Sequence, residues 1–107
     1  MQTVMVQDTG ADADAFAATL LDRAPGPGVV EIWVASTVNT ATYSLDVGGE
    51  NVIRTQVVPL RTNGIPNISD DSPITVPVGG GEKILLALAG TTGTIHSIAR
   101  FTPEDEL

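Results

Sequence analysis

The stretch VVEIWVASTVNTATYSLDV, residues 29–47, decides the fold class. Val30, Ile32 and Val34 fall on one face of an extended chain. After the polar residues 36–40, Tyr43, Leu45 and Val47 fall on one face of a second, with Thr42, Ser44 and Asp46 opposite. A period of two is the strand signature, and β-branched side chains fit a pleated surface. The spacing predicts two strands joined as a hairpin by a turn of about five residues.

The same signature continues outward. Pro25-Gly26-Pro27-Gly28 precedes the stretch, and Gly48-Gly49-Glu50-Asn51 closes it. Residues 52–59 form a third strand, in which Arg54 and Gln56 share a face with Val52 and Val58. Residues 73–78, 82–89 and 93–101 follow, separated by the glycine-rich residues 79–81 and 90–93 that supply the positive φ of tight reversals. Ile84, Leu86 and Leu88 alternate with Leu85, Ala87 and Ala89, so the strand is apolar on both faces and is expected inside a sheet. Turns this frequent indicate an all-β, antiparallel sandwich or barrel and not alternating β and α units, and the chain reads as the sandwich. A chain of 107 residues supports one core, so residues 1–107 read as a single domain with a short N-terminal arm and an acidic C-terminal tail.

Two segments depart from the pattern. In residues 11–24, Asp12 and Asp14 could cap a short N-terminal helix, with Phe16 and Leu20 four apart and Arg23 near its end. The position just before a Pro-Gly turn and a firm strand equally fits the first arm of a hairpin. Residues 61–72 are long for an irregular connection and carry Ile65 and Ile68 among polar neighbours. They read as a crossover between two sheets, a docking loop, or both.

Composition narrows the function. Thirteen acidic residues against five basic ones give a formal charge of −8, which repels phosphate backbones, so no nucleic-acid partner is expected. With no cysteine, disulfides and thiolate metal sites are excluded. No basic, apolar leader opens the sequence and no run approaches the ~20 apolar residues of a membrane span, so a soluble product made in the cytoplasm is expected.

Chemistry-bearing patterns are weak. His96 is the only histidine and has no second histidine or cysteine with which to bind zinc or activate a nucleophile. Asp8, Gly10, Asp12 and Asp14 have the look of a calcium loop, but the glycine falls too early and no glutamate closes the cage. Gly79-Gly80-Gly81-Glu82-Lys83 lacks the hydroxyl residue of a phosphate loop and reads as a turn. Asp70 and Asp71, adjacent in a polar loop, are poorly placed to act as an acid and base pair. No catalytic residue, metal or cofactor is expected, and the chain reads as a binding module and not an enzyme.

Residues 29–49, VVEIWVASTVNTATYSLDVGG, and residues 74–101, containing GGGEKILLALAGTTGTIHSIARF, resemble small virion proteins encoded near the capsid genes of tailed phages. The resemblance covers about half the chain: a strand, a polar Asn/Thr turn, an alternating strand ending in glycine, and a late Gly-Glu-x-Ile strand. It implies a jelly-roll-like sandwich acting as a decoration or cement subunit on the capsid exterior. Its partner would be the major capsid protein, and copies would associate, with a trimer as one arrangement. The alternative function is a tail-fibre or baseplate module that binds host glycan through Trp33. The residues expected at a protein interface are Val4 and Val6 of the N-terminal arm, Trp33, and Arg61, Ile65, Asn67 and Ile68 of the long loop. An apolar arm of strand character can add to a neighbour's sheet edge.

Overall fold

The computed structural model describes residues 2–9, 11–38, 40–69, 71–89 and 93–106. The alternating stretches form seven strands: β1 (Gln2–Thr9), β2 (Gly28–Ser36), β3 (Thr42–Val47), β4 (Glu50–Val57), β5 (Ile74–Val78), β6 (Ile84–Ala89) and β7 (Thr94–Pro103). A short 3-10 turn, Glu104–Glu106, follows, and there is no α-helix among the described residues. The strands make two antiparallel sheets, ordered β1-β7-β2-β5 and β4-β3-β6. Side chains from both sheets meet in one core, including Val30, Ile32, Leu45, Ile84, Leu86 and Phe101.

The pairings are those of a long hairpin rolled into two layers. β1 pairs with β7, β2 with β5 and β3 with β4, and rolling then sets β2 beside β7 and β3 beside β6. A jelly roll has eight strand positions. Here the second is occupied by residues 11–24, which run antiparallel along the outer edge of β6. Asp12 and Leu88 exchange backbone hydrogen bonds, Ala15 donates to Leu86, Ile84 donates to Asp22, and Ala24 donates to Glu82.

Residues 11–24 are therefore neither the helix nor the hairpin arm that local sequence allows. Between its first and last contacts with β6 the segment advances twelve residues, from 12 to 24, while β6 advances six, from 88 to 82. The excess loops outward in three successive turns, with Ala18 at a φ of 61°. Phe16 and Leu21 enter the core while Leu20 is 73% exposed at the tip, so the inward spacing is five and not four. Competition from the unfilled β6 backbone overrides the helix propensity of this alanine-rich stretch.

Three other expectations are corrected. β2 and β3 are not a hairpin. They lie in opposite sheets, because Ser36 bonds to Pro59 and Arg61 and starts a crossover. β6 has backbone partners on both edges, β3 and residues 11–24, but it is not buried on both faces: Ile84, Leu86 and Leu88 are buried, whereas Leu85 and Ala87 are half-exposed. β4 does not keep Val52, Arg54, Gln56 and Val58 on one face, because two register shifts against β3 break the alternation and leave only Ile53 half-buried within it. Bulges of this kind are invisible to a count of two.

Candidate functional site

The outer face of the four-stranded sheet is not left to solvent. On β2, Glu31, Trp33 and Ala35 point away from the core, and the register sets them opposite Arg100, Ile98 and His96 of β7. The connection from β4 to β5 lies across this face, which is why β2 is buried on both sides.

Three fastenings hold the connection. The Trp33 indole donates from Nε1 to the Asp71 carbonyl at 3.0 Å. The Gly64 carbonyl accepts from His96 Nδ1 at 2.8 Å, Nδ1 being the donor because a carbonyl oxygen only accepts. The Asp71 carboxylate pairs with the Arg61 guanidinium and accepts the Asn67 backbone N–H at 2.9 Å. Bonding to Arg61 first, and then to the Asn67 N–H, holds the Asp71 carboxyl below its ordinary range, and raises Arg61 in turn. Local turns complete the loop: the Asn63 side chain accepts from Ile65 N–H and the Asn67 side chain from Ser69 N–H. Gly64 is required where it stands. Its φ is +70°, and a Cβ there would sit 2.8 Å from Thr37 Cγ2.

Trp33 is 3% exposed, with the Arg100 guanidinium 5.1 Å from its ring centre and Glu31 accepting two hydrogen bonds from Arg100. It lies under the loop, bonded to the Asp71 carbonyl, and its ring offers no open face on which a sugar could stack. Of the remaining interface residues expected from sequence, the structure gathers Arg61, Ile65 and Asn67 around one open groove of about 570 Å³ on the loop's outer side. Ile65 and Ile68 are 41% and 42% exposed, and Leu60 at the loop's entry is also exposed. Val4 and Val6 lie elsewhere. They face inward from β1 and pack against the core, so the arm is a strand of its own sheet.

Asp71 is the residue that sequence reading missed. Weighed only as half of a carboxylate pair, it proves to be the node of the loop, bonded through its side chain, its carbonyl and its N–H, which donates to Asn67. Its partner in that pair, Asp70, lies outside the described residues. The Asn-Gly and Asn-x-Ser turn signals ahead of it were the available clue.

A second polar cluster joins the other margin of the sandwich. Lys83 pairs with Asp14, at 2.6 Å, and with Asp22, pinning residues 11–24 to the start of β6, and both bonds raise the lysine's pKa. Asp8, on the inward side of β1, sits against Asp12. Burial first, then the bond to Asp12 and its charge, push the Asp8 carboxyl up to about 6. Gly10 of the suggested calcium loop lies outside the described residues, and no group of three or more potential metal ligands occurs among the described residues.

No protein-family model matches the chain, and neither a curated protein nor a solved structure shows significant similarity to it. No helix among the described residues is long and apolar enough to cross a membrane.

Proposed function

We propose that the chain is a structural subunit that docks on another protein, and that this partner is the major capsid protein of an assembled phage head, decorated and cemented from outside. The observation that carries the reading is the crossover loop. It is tied down from within by Trp33, His96 and Asp71, yet it presents Ile65 and Ile68 outward. A loop ordered before binding loses little further conformational freedom on docking, so a modest apolar contact suffices. Contacts to several capsid subunits at once would then add through effective concentration. The net charge of −8 suits a basic or mixed docking site and keeps many copies soluble together.

The test is addition of the purified chain to heads assembled from the major capsid protein encoded with it. Saturable binding at many copies per head is expected, together with greater resistance of the head to heat. Ile65→Asp combined with Ile68→Asp should abolish binding while the melting temperature of the free chain stays unchanged, since both side chains are exposed. Binding at a dozen copies or fewer, or binding indifferent to these changes, would remove the proposal.

A further inference from the structure

The sandwich has four margins, and three are guarded by different devices. The outer edge of β6 is filled by residues 11–24. β4 carries Glu50 and Arg54 and two register shifts. β5 is only five residues long and contains Pro77, which has no N–H to offer a neighbour. Charges, bulges, prolines and covering segments are the means by which sheets avoid pairing with other chains.

β1 has no proline, no register shift and, among the described residues, no backbone partner on its outer edge; its one charged residue, Asp8, points inward near its C-terminal end. The strand ends its sheet, pairs without interruption to β7 over residues 2–9, and is uncharged from Gln2 through Gln7 in a chain of net charge −8. It contains no proline or glycine, and Met5 at its centre is 62% exposed.

The strand is also complementary to itself. In an antiparallel pair related by a two-fold axis, inner faces meet inner faces only when residues of the same parity are opposed. With Met5 on the axis, Val4 opposes Val6, Thr3 opposes Gln7, and Gln2 opposes Asp8, so every residue from 2 to 8 is paired and no like charges meet. Moving the axis to Val6 would set Asp8 against Val4, and moving it to Val4 would leave Gln7 and Asp8 outside the overlap.

We propose that β1 pairs with β1 of a second copy of this chain, with Met5 on the two-fold axis, fusing two four-stranded sheets into one. The assembly closes at two, because its new outer edges are the proline-bearing β5 strands. It is a closed pair, whereas the resemblance offered a trimer as one arrangement. The inference concerns the free chain and does not depend on docking to a capsid.

Sedimentation velocity on the purified chain should show conversion from one chain to two as concentration rises through a value on the order of 100 μM, in keeping with a contact of the small, transient class. Met5→Lys places two positive charges on the axis and should leave the protein monomeric. Because the chain has no cysteine, Met5→Cys introduces a single thiol that should form a disulfide-linked dimer under mild oxidation. Thr3→Cys and Gln7→Cys should cross-link with each other when mixed, and neither with itself. The proposal is overturned by a monomer at every concentration. It is equally overturned by a dimer that Met5→Lys leaves intact, or by Met5→Cys cross-linking no faster than Leu20→Cys at the exposed tip of residues 11–24.

Discussion

Two irregular stretches lie against the two sheets, and they are held in opposite ways. Residues 11–24 lie along an edge, bonded backbone to backbone with β6, and send Phe16 and Leu21 into the core. Residues 61–72 lie across a face, held by side chains reaching up from beneath, and keep Ile65 and Ile68 outside. The first stretch completes the fold. The second uses the fold as a platform, which is the arrangement a docking loop needs.

The electrostatics divide along the same line. The loop is tied by an ionised carboxylate, since the bonds to Arg61 and Asn67 favour the charged form of Asp71. At the edge, burial and then Asp12 favour the neutral form of the Asp8 carboxyl. Acid should therefore loosen the loop and tighten the edge.

The comparison breaks first at Phe16. Phe16→Ala should destabilise the protein by about 3–5 kcal/mol in denaturant unfolding, the cost of emptying a fully buried aromatic site. A loss below about 1 kcal/mol would mean that residues 11–24 are not part of the core. Gly64→Ala should cost about 1–3 kcal/mol, because alanine meets both a left-handed φ and the Thr37 methyl. Amide exchange should locate that loss in residues 61–72. Trp33→Phe keeps the ring and removes the bond to Asp71, for about 1 kcal/mol, and should speed proteolysis of the loop while sparing residues 11–24.

The smallest effect is a pH dependence. Asp8 has its pKa raised from 3.8 to about 6 on folding, so between these values the native state binds more protons than the unfolded one. Its contribution is complete below about pH 4 and is lost as pH rises through about 6. The carboxyl is partly solvated, so the amount is about 1 kcal/mol or less. Asp8→Asn should remove this falling limb and stabilise the protein at pH 7. Asp71 acts with the opposite sign: its lowered pKa stabilises the loop above the ordinary carboxylate range, and that support fades as pH falls. Following the Trp33 indole resonance during acid titration would separate the two.

In β2 and β3 the sequence by itself determined where the chain is extended and which side chains turn inward. The alternation at Val30, Ile32 and Val34, and at Tyr43, Leu45 and Val47, is a local property, and the turn residues beside it act within a few positions. It also marked residues 61–72 as an unusually long connection carrying exposed isoleucines, readable as a crossover, a docking loop, or both. Only the tertiary structure decided which strands are neighbours. A period of two is the same whether the next strand pairs alongside, as a hairpin, or lies in the opposite layer, as β3 does relative to β2. It likewise decided that residues 11–24 complete the edge of β6, and that Trp33 lies under a loop fixed by Asp71. These choices are settled by backbone groups and side chains distant in sequence, each of which must find a partner once buried.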